Sequence, residues 1–449
     1  MTHDFSTAQL DTAVLRTRAD HRMALAALRK VKHAYGHFVP KSFLNFLGKN
    51  DIASVELGDF VEMKTSIMFA DIRNFTTMSE ELKPEEIFRT LNAYLAQYEA
   101  PIHGHGGVID KFLGDGALAI FKSADEAVAA GNEMLDRVRR FNRERRRQSL
   151  PTAEIGIGIN TGYSALGVVG NAERLETTVI GDCVNVASRI QDLTKLYGSR
   201  LLISETTYLN LDDPSALAVR LVDRIQVKGR ARPVSVYEVF DEDDEELASI
   251  KTAGLDLFED GVSCFHLGYH KEAGDIFRRY DQVAKDDPVA KMYIDRCLAQ
   301  QKVDKRSSTE SANQEFLWRP AYDTGHPNID DQHHHLVEIY ENLRVAVRGG
   351  SQTATEEILV GLKEYSLEHF AEEARLMEST NYPLMAEHLH EHRQFVRRLE
   401  LLSTTIRTGD RSTRTMIFWI NIFLFDWLAT HSSKIDRHLA RYIARAGAA

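Results

Sequence analysis

Histidine recurs at helical spacing through the last third of the 449-residue chain, beginning with three in a row in DDQHHHLVEIYENL. His333 is three and seven residues from the apolar Leu336 and Tyr340, so it lies on the apolar stripe of a predicted helix. Neighbouring helical residues point about 100° apart, which turns His334 and His335 away from that stripe. The pattern therefore predicts that His333 faces the protein interior and that its two neighbours are solvated.

Three further predicted helices also carry histidine on their apolar faces. The inward-facing set is His333, His369, His388, His392 and His431, with Glu373 in line with His369. A lone histidine at such a position is usually a core residue, but burying five imidazoles without partners is costly. Imidazole is a ligand for Fe, Zn, Cu and Ni, so the set predicts a metal centre.

The number of donors indicates two ions rather than one. Five histidines with two carboxylates, Glu373 and Asp436, exceed one coordination sphere, whereas two octahedral ions offer about twelve positions. A bridging oxygen and two bridging carboxylates then leave roughly one position for a small ligand. Asp436 follows His431 by five residues, about 140° round an ideal helix, so helical periodicity alone does not place it at the centre.

Acids also end predicted strands in the first half of the chain. The apolar segment SIMFADIRNFT reaches Asp71, and GGVIDKFLGDGALAIF is two apolar runs that meet in a tight hairpin at Asp115. Each acid alone is commonly a turn residue, but two carboxylates at adjacent strand ends can hold Mg²⁺ against a nucleoside triphosphate. In TTVIGDCVNVASRI a strand leads into a helix on which Asn185 and Arg189 share one face. That pair is suited to stabilising a charged phosphorus transition state.

An alternation of strands and helices must position these residues. Short apolar runs lie at 66–70, 117–121, 154–159, 200–204 and 234–240, and helical segments lie at 84–99, 124–147 and 183–196. This alternation is typical of an α/β or α+β domain. After the acidic run at 241–246, residues 249–300 are predicted to be helical and resemble one tetratricopeptide-like pair, and 304–315 is a polar linker. Residues 8–35 predict a helical stalk.

The overall composition excludes several classes of protein. With 43% hydrophobic and 27% charged residues the chain is expected to fold, and its net charge of −11 argues against nucleic acid as the main partner. The basic run at 143–147 is interpreted as a solvated helix end. Three widely spaced cysteines give no disulfide framework, no secretory leader is visible, and the apolar stretch 416–429 is too short to span a bilayer. We therefore expect a cytoplasmic protein with no membrane span.

Four motifs in the first half occur together in a known family. The segments FADIRNFT, KFLGDGALAIF, TTVIGDCVNVASRI and VKGRARPVSVYEVF, in this order, make residues 38–240 resemble a class III nucleotide cyclase domain. The resemblance implies an α+β, ferredoxin-like βαββαβ core that dimerises head to tail, with active sites at the interface. It also implies attack of a ribose 3′-hydroxyl on the α-phosphate of a nucleoside triphosphate, with pyrophosphate as the leaving group.

The same resemblance assigns roles to individual residues. Asp71 and Asp115, helped by the backbone carbonyl of Ile72, are expected to hold two Mg²⁺ or Mn²⁺ ions. Asn185 and Arg189 are expected to come from the other protomer. There the amide would orient the ribose, and the guanidinium would neutralise charge on the α-phosphate.

Phosphate binding and base choice rest on three further positions. By resemblance, Lys228 in VKGR contacts the terminal phosphates, and positions 111 and 178 recognise the base. Lys111 can only donate, which suits the N1 acceptor of adenine, and the Thr178 hydroxyl can accept from the 6-amino group. An acid at position 111 would be expected for guanine, so ATP is predicted rather than GTP.

The helical segment after the linker resembles a bacterial hemerythrin over about residues 316–445. IDDQHHHLVEIYENL, HFAEEARLM, HLHEHRQF and WLATHSSKID carry its patterns, which imply an all-α, up-down four-helix bundle. By resemblance, one Fe is bound by His388, His392 and His431, the other by His333 and His369, and Glu373 and Asp436 bridge them. O₂ or another small diatomic ligand is expected at the second Fe. The neighbouring acid Glu372 is not expected to be a ligand.

The predicted domains are a stalk at 1–37, a cyclase domain at 38–240, a connector and linker at 241–315, and a di-iron bundle at 316–449. The favoured interpretation is a homodimeric adenylate cyclase whose output is set by a di-iron oxygen or redox sensor, through the first bundle helix and the linker. One alternative is an oxygen-binding or iron-storing protein with a non-catalytic, cyclase-like dimerisation domain. Another is an adenylate cyclase whose helical bundle is only structural.

Overall fold

The computed structural model describes residues 23, 41–49, 54–171, 175–227, 233–304, 320–408 and 412–446. The predicted stalk apart from Met23, the linker beyond residue 304, and Lys228 lie outside the described residues. The predictions made for those parts of the chain therefore stay predictions.

The first half of the chain forms a mixed sheet with helices packed on it. Its first elements are α1 (Lys41–Phe46), β1 (Phe60–Ile72), α2 (Phe75–Glu81), α3 (Pro84–Gly104), β2 (Val108–Leu113), β3 (Gly116–Phe121), α4 (Ala124–Arg147) and β4 (Ile155–Gly170). Strands β2, β3, β1 and β4 lie side by side in that order, and each neighbouring pair is antiparallel. The four strands with α3 and α4 follow the predicted βαββαβ order.

The sheet extends beyond these four strands. The next elements are β5 (Leu175–Ile180), α5 (Asp182–Tyr197), β6 (Leu201–Ser204), α6 (Glu205–Tyr208), β7 (Val219–Ile225) and β8 (Val234–Val239). On the side of β4 away from β1, β5 pairs with the end of β4 and β6 pairs with its first half. Strands β8 and β7 continue the sheet beyond β6. The sequence did not predict β7, because its Arg220 and Asp223 look like surface residues although both are buried.

Helix α5 lies directly on strand β4. A Cβ on Gly158 of β4 would come within 2.2 Å of the backbone nitrogen of Gln191, so a glycine is required for this approach. The helix ends before Gly198, whose φ of +65° is left-handed and suits a glycine C-cap. This packing fixes the helix that carries Asn185 and Arg189.

Four connector helices follow the sheet, namely α7 (Glu245–Ala253), α8 (Leu255–His266), α9 (His270–Val283) and α10 (Pro288–Asp304). The region is helical as predicted, but it holds more helices than a single pair. It is tied to the sheet by buried charges. Arg220 donates from Nε to Glu238 (2.6 Å) and from Nη1 to Asp287 (2.5 Å), and Lys251 Nζ lies 2.8 Å from Glu238.

The described residues of the C-terminal region form helices joined by short turns. It contains α11 (Pro327–Arg348), α12 (Gln352–Ser379), α13 (Met385–Thr408), α14 (Thr413–Ile420), α15 (Asp426–Thr430) and α16 (Arg437–Ala446). Two π-helical turns, Asn421–Phe425 and His431–Asp436, join the last three helices into one run. We call this run, residues 413–446, the fourth segment.

Other sequence predictions can be checked against burial. The described part of the chain contains no helix long and apolar enough to cross a membrane. Within the apolar stretch 416–429, Ile420 and Trp427 are almost completely buried in the protein. The basic run does end α4, as predicted, although Arg145 within it is buried against the ring of Tyr94.

Candidate active site and metal centre

Asp71 and Asp115 come together where two paired strands meet. Asp71 of β1 pairs with Gly116 of β3, so Asp115 directly precedes its cross-strand neighbour. A Cβ on Gly116 would lie 2.7 Å from the carbonyl oxygen of Ala70 and 3.2 Å from Asp71 Oδ1. The glycine therefore leaves the space that the Asp71 carboxylate occupies.

The two acids concentrate negative charge. Burial raises the pKa of Asp71, and the nearby charge of Asp115 raises that pKa further. Lys195 of α5, which sequence reasoning missed, opposes this effect, since its Nζ lies 3.4 Å from Asp71 Oδ2. The carboxylates of Asp71 and Asp115 repel each other, and they lie beside the end of β1 at Ile72. Together they offer oxygen ligands, which are the ligands that Mg²⁺ and Mn²⁺ prefer.

The two predicted base-recognising residues are neighbours across strands β2 and β5. Lys111 Nζ lies 3.1 Å from Thr178 Oγ1 and 2.9 Å from Glu176 Oε1. Thr178 and Glu176 are two residues apart on β5, so both side chains point to the face where Lys111 lies. Sequence reasoning missed Glu176, although strand alternation from Thr178 could have found it.

Asn185 and Arg189 are exposed on α5. The same helix directs Lys195 towards Asp71. Lys195 lies six positions after Arg189, and at about 100° per residue these two side chains point roughly 120° apart. Arg189 therefore faces a different direction from the acid pair of its own chain.

The second site brings together all seven predicted ligands of the C-terminal region. They are His333 from α11, His369 and Glu373 from α12, His388 and His392 from α13, and His431 and Asp436 from the fourth segment. All seven side chains are buried. His334 and His335 are exposed, as predicted from the helix stripe.

The ligand atoms of this cluster converge at short distances. His392 Nε2 lies 3.0 Å from Glu373 Oε2, and His431 Nε2 lies 2.9 Å from Asp436 Oδ1. His388 Nε2 is 3.1 Å from the same Asp436 oxygen. Neighbouring ligands of an octahedral ion with bonds of about 2.1 Å are also roughly 3 Å apart. The spacing fits donors arranged around metal ions.

The cluster divides into two groups that share carboxylates. Glu373, His388, His392, His431 and Asp436 form one group, and His333, His369 and Glu373 form the other. Asp436 also reaches the second group, since its Oδ2 lies 3.2 Å from His333 Nε2. Both carboxylates therefore lie between the two sets of histidines, where bridging ligands would be needed.

The protonation of the two carboxylates also suits metal binding. Burial and Asp436 would raise the pKa of Glu373, but His369, His388 and His392 outweigh both and lower it. Within the described residues, none of the carboxylate oxygens of Glu373 and Asp436 accepts a hydrogen bond of normal geometry. Buried anionic oxygens that face imidazole nitrogens without hydrogen bonding to them indicate a common cation between them.

Surrounding side chains orient the histidine rings. Gln332 Oε1 lies 2.7 Å from His369 Nδ1, which directs Nε2 of that ring towards the cluster. Glu372 contacts Gln332 and is exposed, so it lies outside the cluster, as expected. Trp427 stacks on His431 with ring centroids 4.2 Å apart. Sequence reasoning missed Gln332, although it directly precedes His333.

Two family models match separate parts of the chain. Residues 62–240 match the adenylate and guanylate cyclase catalytic domain, and residues 324–443 match the hemerythrin HHE cation binding domain. The two matched regions contain the acid pair and the histidine cluster, respectively.

The individual relatives are similar to this chain mainly over the first of these two matched regions. An adenylate cyclase of Anabaena cylindrica is 40% identical over 237 residues, which is 51% of this chain and 47% of that relative. The chain spans less than half the length of the curated relatives it matches first. Crystal structures of the adenylyl cyclase CyaB from P. aeruginosa and of the guanylyl cyclase Cya2 each share 35% identity and cover 40% of this chain. They match over 96% and 92% of their own chains, with TM-scores of 0.37 and 0.36.

Residues 62–240 thus match the adenylate and guanylate cyclase catalytic domain, and residues 324–443 match the hemerythrin HHE cation binding domain.

Proposed function

We propose that the chain is an adenylate cyclase that converts ATP to 3′,5′-cyclic AMP and pyrophosphate under the control of a C-terminal di-iron centre. The observation that carries the catalytic half is the contact between strand ends that brings Asp71 and Asp115 together. These acids, with the carbonyl of Ile72, would hold two Mg²⁺ or Mn²⁺ ions. Bound ions would lower the pKa of the ribose 3′-hydroxyl and neutralise charge on the triphosphate.

The site is completed by a second copy of the chain. Arg189 points in a different direction from the acid pair of its own chain, so we infer that the Arg189 and Asn185 that serve this pair come from a partner. Apolar side chains near the other site residues support such an interface. Phe112, Leu113, Leu175 and Ile180 are between 46% and 57% exposed. A patch of this kind on a soluble domain favours protein contact.

Each side chain then has one task in the reaction. Arg189 of one protomer neutralises the α-phosphate as the 3′-oxygen attacks it in line, and Asn185 orients the ribose. Lys228 contacts the terminal phosphates. Lys111 donates to N1 of adenine while the Thr178 hydroxyl accepts from the 6-amino group, and their separation of 3.1 Å supports a joint role.

The C-terminal region is proposed to be the predicted four-helix bundle with two Fe ions in its core. His388, His392 and His431 would bind one Fe, and His333 and His369 the other, with Glu373 and Asp436 between them. The second group holds fewer donors, so an ion held there would keep a position free for O₂ or another diatomic ligand. The observation that supports this proposal is that seven buried donor residues divide into two groups, and that the carboxylates of Glu373 and Asp436 reach both groups.

Regulation requires physical contact between the two halves, and the fourth segment provides it. Arg224 of β7 donates to Asp426 of α15 (2.5 Å). The ring of Trp419 in α14 stacks near Tyr237 of β8, with centroids 6.3 Å apart. The segment that carries His431 therefore also touches the catalytic sheet. These contacts support the fourth segment, rather than the first bundle helix, as the route of control.

A continuous set of contacts links this segment to the catalytic helix. Phe418 of α14 stacks on His266 of α8, with ring centroids 5.7 Å apart and planes at 17°. His266 Nε2 lies 3.3 Å from the buried Asp223 of β7. Tyr197, the last residue of α5, donates to the other oxygen of Asp223 (2.8 Å). A shift of α14 would thus reach the helix that carries Arg189.

The catalytic proposal has a direct test. Full-length protein should form cyclic AMP from ATP with Mg²⁺ or Mn²⁺, and Asp71→Asn should lower the rate at least a hundredfold. Lys111→Glu combined with Thr178→Cys should also cut ATP turnover. Wild-type protein that binds iron but forms no cyclic nucleotide would instead support the non-catalytic alternative.

A further inference from the structure

The strand that carries Lys111 is interrupted by a bulge directly before it. Ile109 pairs with Ala119 and Lys111 pairs with Leu118, which leaves Asp110 as the extra residue between them. In a regular strand, successive side chains point to opposite faces, but a bulge redirects a side chain. Here the carboxylate Oδ2 of Asp110 lies 3.6 Å from Nζ of Lys111. The bulge therefore places an acid beside the base-recognising ammonium.

Asp110 is held in an environment that does not suit an isolated carboxylate. Its side chain is 0% exposed, and among the described residues neither carboxylate oxygen accepts a hydrogen bond of normal geometry. Burial raises the pKa of Asp110 to about 6, and the Lys111 ammonium opposes that rise. Since a buried charge without a partner is costly, the ammonium of Lys111 is the group that compensates it.

Lys111 has three N–H donors and three oxygen-bearing neighbours. Thr178 and Glu176 lie at hydrogen-bond distance from its Nζ, and Asp110 lies slightly further away. The Glu176 side chain is 48% exposed, so it can turn into solvent when a ligand arrives. The fully buried side chain of Asp110 has no such freedom. A base nitrogen that needs a donor from Lys111 can therefore replace Glu176 but not Asp110.

We propose that Asp110 is a positioning residue for base selection: its buried carboxylate holds the Lys111 ammonium in place while the incoming adenine displaces Glu176. The inference rests on the proposed ATP specificity and adds how that specificity is built. Glu176 then fills the base position in the absence of substrate. Asp110 keeps Lys111 directed at N1 and prevents a rearrangement that would accommodate the guanine N1–H.

The test compares two neutral, near-isosteric variants of the full-length protein, Asp110→Asn and Glu176→Gln. Both remove one negative charge next to Lys111, but only the first removes the buried one. We measure kcat and KM for ATP and for GTP, together with thermal unfolding as a check on folding. Asp110→Asn should lower kcat/KM for ATP about tenfold and reduce the ATP/GTP ratio by a similar factor. Glu176→Gln should leave the ratio unchanged and should not raise the KM for ATP.

A mutant cycle shows whether Asp110 acts through Lys111. In a Lys111→Met background, which lacks the ammonium, Asp110→Asn should have no further effect on the ATP/GTP ratio. An unchanged ratio in Asp110→Asn, or an equal loss in Glu176→Gln, would overturn the inference while leaving the cyclase activity established. A wild-type protein that does not turn over ATP would overturn the proposed function itself, and this inference with it. If Asp110→Asn does not fold, Asp110→Glu, which keeps the charge but moves it, must alter the ATP/GTP ratio.

Discussion

His431 Nε2 and Asp436 Oδ1 lie 2.9 Å apart although the two residues are five positions apart in the sequence. On an ideal α-helix these residues would point about 140° apart. The turn between them, His431–Asp436, is π-helical, and its i→i+5 hydrogen bonding brings residues five apart onto one face. A single π turn therefore directs both side chains into the cluster.

The first prediction concerns Asp436. Asp436→Ala should reduce bound iron from about two to one or fewer per chain, because it removes a carboxylate whose two oxygens face the two groups of histidines. Asp426→Ala is the matched control, since Asp426 lies on the same segment but contacts Arg224 rather than the cluster. Iron is counted on purified protein by emission spectroscopy. An equal loss of iron in both variants would mean that Asp436 supports the fold of the segment and is not a metal ligand.

A second prediction separates the three consecutive histidines. His333→Ala should lower iron content and remove any absorption band of an oxygenated centre, because His333 is buried within the cluster. His334→Ala and His335→Ala should retain both properties, since their rings contact the backbone oxygen of Asp330 and Glu338 outside the cluster. Iron content that depends equally on all three positions would contradict the ligand assignment.

The third prediction tests the shared active site. Asp71→Ala and Arg189→Ala should each be nearly inactive when assayed alone. Mixed in equal amounts, they should recover about a quarter of wild-type activity, because half of the randomly assembled dimers are heterodimers with one intact site each. Recovery is measured after subunit exchange has been verified with differently tagged chains. Heterodimers without activity would exclude the composite site.

The sequence predicted the acid pair and six of the seven members of the buried histidine and carboxylate cluster through regular periodicity and strand alternation. It could not place Asp436 by periodicity, because the π turn changes the helical repeat at that point. It also missed strand β7, since Arg220 and Asp223 resemble surface residues until the connector that buries them is present. Lys195 and Glu176 lack any motif, and their roles depend on contacts between elements distant in sequence. Asp110 directly precedes Lys111, but its proposed role depends on a bulge that the strand pattern does not reveal.

The fourth prediction concerns the buried charges between sheet and connector. Burial would raise the pKa of Glu238, but Arg220 and Lys251 outweigh it and hold that pKa at about 2, below its ordinary value of 4.5. Because the folded-state pKa is depressed, the stabilisation is complete above about pH 4.5 and is lost as the pH falls towards 2. Glu238→Gln should lower the free energy of unfolding by about 3–5 kcal/mol at pH 7.

Urea unfolding at several pH values checks this assignment. The difference between wild type and Glu238→Gln should shrink as the pH falls from 5 to 3. Glu245→Gln, at an exposed position on α7, serves as the control and should change stability little at any pH. A difference that stays constant down to pH 3 would show that Glu238 is not held ionised by its two cationic partners.

Control of the cyclase by the di-iron centre predicts a specific uncoupling variant. Phe418→Ala removes the stacking contact between α14 and His266 without touching a proposed catalytic residue or metal ligand. Its activity should become the same in all iron states, with iron content unchanged. Val345→Ala, at an exposed site on α11, should behave like wild type. If the activity of Phe418→Ala still depends on the iron state, the coupling does not pass through this contact, and the linker becomes the alternative route.

The most direct test of the account is the rate of cyclic AMP formation by one iron-loaded, full-length, dimeric preparation in its diferrous, oxidised and oxygenated states. Coupling between two sites in one protein is typically about 1–3 kcal/mol, or roughly 5–150-fold. We predict that the rates differ between at least two of these states by several-fold or more. Identical rates in every iron state, with iron content and dimer verified, would contradict the claim that the C-terminal centre controls the cyclase.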